Sequence, residues 1–70
     1  MPDSIYKVIE LVGSSEKGWS EAMKHIVDTA AKSLRDLRIA EVIQQDVKIE
    51  DGKPVLFRVR AKVSFKYEGK

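Results

Sequence analysis

From Val55 onward the chain alternates without a break, with Val55, Phe57, Val59, Ala61, Val63, Phe65 and Tyr67 set against Leu56, Arg58, Arg60, Lys62, Ser64, Lys66 and Glu68. Only a β-strand repeats every two residues, so this stretch predicts a long strand with one apolar and one largely cationic face. The apolar face demands a covering layer. In a chain of 70 residues that layer has few sources, and most of the expected fold follows from finding it.

Immediately upstream, Asp51-Gly52 followed by Lys53-Pro54 signals a tight hairpin turn. Ile39 to Glu50 then reads as the partner strand, with the adjacent Val42-Ile43 pair breaking its alternation as a bulge or bend does. Ahead of it, Trp19, Ala22, Met23, Ile26, Val27, Ala30, Leu34 and Leu37 recur at spacings of three and four, one apolar helical stripe. Lys24, Asp28, Lys32 and Arg35 occupy the opposite side. Ser14 or Ser15 is the expected N-cap, with Glu16 in the first turn, and the helix is expected to end near Asp36 to Arg38. Trp19, in register with the stripe, is expected in the core.

Ile5 to Val12 is rich in β-branched and aromatic residues and predicts a first strand, closed by Gly13-Ser14-Ser15. Its adjacent pairs, Val8-Ile9 and Leu11-Val12, put apolar side chains on both faces, one for the helix and one for another subunit. The expectation is one α+β domain over residues 1–70, β-α-β-β, with a three-stranded antiparallel sheet partly wrapping one amphipathic helix.

A core this small contributes about 3–5 kcal/mol, and small domains add disulfides, metals or partner subunits. There is no cysteine and a single histidine, His25, which removes disulfides, thiolate zinc and multi-histidine metal sites. His25 lies beside the apolar stripe and is expected at the surface or boundary without a catalytic role. Oligomerisation is the remaining source of stability. A neighbouring copy of the chain is the economical cover for a hairpin longer than its helix.

Thirteen basic and eleven acidic residues leave a formal net charge of +2, the balance of a solvated surface rather than of a nucleic-acid binder. Arg58, Arg60, Lys62 and Lys66 form a cationic row able to track phosphates as a β-ribbon does. No aromatic residue interleaves on that face to stack bases. A solvated or salt-bridged strand face is the preferred reading, and a ligand phosphate at a subunit junction is an intermediate one. Apolar runs fall far short of the ~20 residues of a membrane span. Met1-Pro2-Asp3-Ser4 has neither the basic nor the apolar region of a signal peptide, so the chain is expected to be soluble and cytoplasmic. No phosphate loop, nucleophile elbow or two-histidine metal motif is present, and no nucleophile–base pair can be assembled, so an enzyme is not expected. Glu10, Glu41 and Asp46 are carboxylates among strand residues, suited to outward-facing salt bridges or, clustered across copies, to a cation such as calcium.

Tyr6-Lys7-Val8-Ile9-Glu10-Leu11-Val12-Gly13-Ser14-Ser15, Trp19-Ser20-Glu21-Ala22, Ala40-Glu41-Val42 and the run from Phe57 to Lys66 together resemble the dodecins. These are small flavin-binding proteins that assemble twelve chains into a hollow shell. The resemblance spans nearly the whole chain and rests on the ordered set of stretches. It implies a homododecamer with small-molecule sites shared between subunits. In flavin-binding members a tryptophan opening the second strand stacks on the isoalloxazine, and a glutamine of the third strand bonds its polar edge. The pattern places these at Ile39 and Arg58, with Gln44 at the pocket mouth. The resemblance thus implies a flavin site, for riboflavin or its phosphate FMN, weakened at Ile39 and Arg58, and within a branch of the family it allows calcium instead.

Overall fold

The computed structural model describes residues 5–67. The expected Glu68 end of the alternation and the N-terminal Met1-Pro2-Asp3-Ser4 lie outside them. The order is β1 (Tyr6–Ser15), α1 (Trp19–Ser33), β2 (Leu37–Glu50) and β3 (Lys53–Lys66). β3 is the middle strand, antiparallel to both β1 and β2. The most strongly alternating segment therefore takes the position with a neighbour on each side. Val59, Ala61 and Val63 are buried on its apolar face against Ala22 and Ile26 of α1.

The helix buries a narrow line of residues four apart, Ala22, Ile26 and Ala30. Two of them are alanines, so the helix lies close to the sheet, and the strand beneath it must also be small. That strand residue is Gly13. A Cβ there would stand 2.5 Å from Ile26 Cγ1 and 2.9 Å from the Ala22 carbonyl oxygen. Gly13 is thus an interior strand residue, paired with Val59, and β1 runs through the segment expected to close it. The constraint is close approach of the helix, not a turn.

Both helix ends differ from expectation. The N-cap is Gly18, not Ser14 or Ser15, and Glu21 rather than Glu16 is the acidic residue of the first turn. The Ser15 hydroxyl instead accepts the Lys17 N–H at 3.0 Å, turning the chain between strand and helix. The helix stops at Ser33 because Leu34 is already extended, and Asp36, with φ +57°, turns the chain into β2. Leu37, expected on the helical stripe, pairs with Phe65 in the sheet. Trp19 is not a core residue but 38% exposed at the helix start. Its ring meets Phe57 edge-on at 5.1 Å, and its indole N–H donates to the Asp46 carbonyl at 2.9 Å.

The hairpin turn forms as expected, with φ +53° at Asp51 and +73° at Gly52, the left-handed pair of a type I′ turn. The hairpin runs past the end of β1, where Ser15 pairs with Phe57. The result is 53 × 20 × 18 Å with a radius of gyration of 14.6 Å, against about 11 Å for a compact domain of this length. Val8, Val12 and Ile39 on the sheet, and Val42, Ile43 and Ile49 on the edge strand β2, remain exposed. Among the described residues no helix is long and apolar enough to cross a membrane.

Candidate functional site

The helix-free face of the sheet gathers most of the polar side chains. Residues opposite one another on adjacent strands point to the same side, so the register fixes its rows. Ile39 and Val8 flank Ser64, Glu10 and Glu41 flank Lys62, Val12 and Gln44 flank Arg60, and Ser14 and Asp46 flank Arg58. β2 keeps Ile39 and Glu41 on the same face as Gln44 and Asp46 only because the register shifts between Val42 and Gln44. This is the bulge expected at Val42-Ile43. Without it Gln44 and Asp46 would face the helix.

The two arginines of the cationic row of β3 are paired from within the chain. Arg58 donates from Nε and Nη2 to the two carboxylate oxygens of Asp46, both at 2.8 Å. Arg60 Nη1 donates to Glu10 Oε2 at 2.9 Å. The salt-bridged reading of this row is the one the geometry supports. The Arg58 hydrogen bonds hold the Asp46 carboxyl below its ordinary value of 3.8 against a smaller opposing effect of desolvation, and Arg58 is correspondingly raised. Because the folded-state value is depressed, the pair's contribution is present above pH 3.8 and is lost only as the pH falls through the lower folded value.

Gln44 and Arg58, two of the three expected ligand positions, line one small cleft of about 90 Å³ with Val12, Asp46, Val59 and Arg60. Ile39 does not reach it. It borders a separate, wider recess of about 410 Å³ with Val8, Glu41, Lys62 and Ser64. Ser64 and Arg58 are six positions apart on β3, roughly 20 Å at ~3.3 Å per residue. One protomer therefore presents two half-sites, the smaller below the ~300 Å³ of an ordinary ligand pocket.

Two side chains missed in the sequence hold these half-sites in place. The Ser64 hydroxyl accepts the Ile39 N–H at 3.2 Å and makes a longer contact, 3.4 Å, to the Ile39 carbonyl oxygen. It substitutes for ladder bonds where the register shifts between Leu37 and Ile39. Ser64→Ala is expected to cost about 0.5–1.5 kcal/mol and to speed amide exchange at Ile39, while exchange within α1 is unchanged. Unaltered exchange at Ile39 would show that Ser64 does not hold it. The second is Trp19, whose bond to the Asp46 carbonyl pins the backbone behind the Asp46–Arg58 pair. A tryptophan seven helical positions before Ile26 gave no sign of this, because its partner lies across the sheet.

Of the three carboxylates suited to a cation, Glu10 and Asp46 are engaged by arginines. Among the described residues no group of three His, Cys, Asp or Glu side chains is placed to hold a metal ion. His25 is exposed, as expected.

The family model described as Dodecin matches residues 5–68. Calcium dodecin of Mycobacterium tuberculosis is 38% identical over 63 residues, covering 90% of this chain and 89% of that protein. The solved dodecin of Streptomyces coelicolor superposes with a TM-score of 0.93 at 36% identity over the full length of both chains. The crystal structure of the M. tuberculosis calcium dodecin, described with a novel calcium-binding site, gives 0.82 at 36% identity over 96% of each chain.

Proposed function

The chain belongs to the dodecin family, and from that membership we propose that residues 1–70 form one unit of a homododecameric shell that binds and stores a small molecule without transforming it. The observation that carries this reading is the helix-free sheet face. It holds two half-sites, with Arg58 and Gln44 in one and Ile39 in the other, bordered by exposed Val8, Val12 and Ile39. Bringing copies together covers that apolar surface and joins half-sites from different chains.

A flavin does not fit these residues in the way the family's stacking site holds it. Ile39 is an aliphatic side chain, 67% exposed, and offers no ring to stack. Arg58 supplies donors only, where a glutamine supplies a donor and an acceptor, and Asp46 already occupies it. The site is a flavin-type site with reduced affinity. Riboflavin titrated into the protein, followed by flavin fluorescence, is expected to bind saturably but only in the micromolar range or weaker, no tighter than about −8 kcal/mol. Stoichiometric quenching at submicromolar concentration would show that the site is intact. No quenching at about 100 μM, −5.5 kcal/mol, would remove flavin as a ligand.

Calcium is the second reading, favoured by the 38% identity to a calcium dodecin. Its site would draw carboxylates from several copies, since calcium takes six to eight oxygens. Glu41 is the one carboxylate of the Glu10, Glu41 and Asp46 set without an ion pair among the described residues. A calcium-dependent rise in melting temperature that is lost in Glu41→Gln supports this reading. No rise at millimolar calcium dismisses it.

A further inference from the structure

We propose that Asp46 is a specificity-determining residue, which by filling one edge of Arg58 closes the Gln44–Arg58 cleft to anions and leaves it selective for a neutral ligand with a carbonyl-bearing edge. The inference rests on the reading of this cleft as part of the ligand site.

A lone guanidinium in a cleft is an anion receptor, because its paired N–H groups match the oxygens of a phosphate or carboxylate. Here the Nε–Nη2 edge of Arg58 is taken by both oxygens of Asp46, each at 2.8 Å. Arg60, the other cation lining the cleft, is taken by Glu10 at 2.9 Å. Each positive charge at the cleft is matched by a carboxylate of the same chain. An incoming phosphate would have to displace Asp46 and approach the freed carboxylate as well.

The cleft keeps its hydrogen-bonding capacity all the same. Of the five N–H bonds of a guanidinium, two go to Asp46, and the remainder can donate to ligand carbonyls. Gln44 adds a donor and an acceptor. Val12 supplies an apolar wall. Donors without net charge, beside an apolar wall, suit a neutral amide- or carbonyl-edged molecule. The arrangement is held from behind, since the Trp19 indole fixes the Asp46 carbonyl at 2.9 Å. The carboxyl is also held below its ordinary range, so it stays ionised at neutral pH.

The test is calorimetric titration of inorganic pyrophosphate into the assembled wild type, Asp46→Asn, Asp46→Asn/Arg58→Gln and Glu50→Gln. The last removes the same charge and frees a different cation, Lys48, from its 3.3 Å pair. Asp46→Asn is expected to bind pyrophosphate at least about tenfold more tightly than wild type. The gain should vanish in the double variant and be absent in Glu50→Gln. No gain in Asp46→Asn, or an equal gain in Glu50→Gln, overturns the proposal. Riboflavin titrated into the same samples tests the ligand-site reading separately. Loss of riboflavin binding by wild type would defeat that reading, while the pyrophosphate comparison still decides whether Asp46 excludes anions.

Discussion

Gly13→Ala is expected to destabilise the protein more than the same change at Gly18 or Gly52, by about 1–3 kcal/mol. The added Cβ meets Ile26 Cγ1 at 2.5 Å, Ile26 Cδ1 at 3.1 Å and the Ala22 carbonyl oxygen at 2.9 Å. The carbonyl belongs to the helix backbone and Cγ1 is near the root of its side chain, so neither can step aside locally. The whole helix must lift from Val59, Ala61 and Val63, the center of the core. Set against an intrinsic stability of about 3–5 kcal/mol, this is a large share. A fall in melting temperature of roughly 5–20 °C follows. Gly52→Ala is the comparison: its backbone is left-handed at φ +73° but nothing lies within 4 Å. It should cost about 1 kcal/mol through backbone strain alone. Equal, small effects at both positions would show that the helix does not approach β1 this closely.

The second large effect is a gain. Ile39→Trp is expected to tighten riboflavin binding by about 5- to 150-fold, the equivalent of ~1–3 kcal/mol if two symmetry-related rings each add ~0.5–1.5 kcal/mol of stacking. The change is sterically open, since Ile39 is two-thirds exposed and borders the wider recess. Its backbone is already held by Ser64. The measurement is the same fluorescence titration used for the wild type. An unchanged affinity in a correctly assembled variant would place position 39 away from the ligand.

What could be read beforehand followed from how strictly a pattern excluded alternatives. The unbroken alternation of β3 admits one structure, and Asp51-Gly52 admits one kind of turn, so the hairpin and its helix-facing side were legible. The adjacent Val42-Ile43 pair marked the bulge. Leu34 and Leu37 continue the helical spacing past the point where the backbone becomes extended, so periodicity alone carried the expected helix end too far. Gly13 looked like punctuation because a sequence shows a glycine's freedom but not the helix resting on it. The ion pair of Asp46 with Arg58 was hidden by register. Counting back from the turn without irregularity pairs Asp46 with Phe57. The shift between Lys48 and Ile49 moves the partner to Arg58, and it falls beside Pro54, which has no N–H to give to the ladder. The cationic row was therefore visible in the sequence, and the carboxylates that pair with its two arginines were not.

Assembly is the claim on which the ligand reading stands, and the mass of the protein in solution tests it most directly. Light scattering on the purified chain at neutral pH should return twelve times 7.9 kDa, or about 95 kDa, unchanged on dilution through the micromolar range. A mass of one or two chains would leave the two half-sites unjoined and the apolar sheet face uncovered, and would contradict the account.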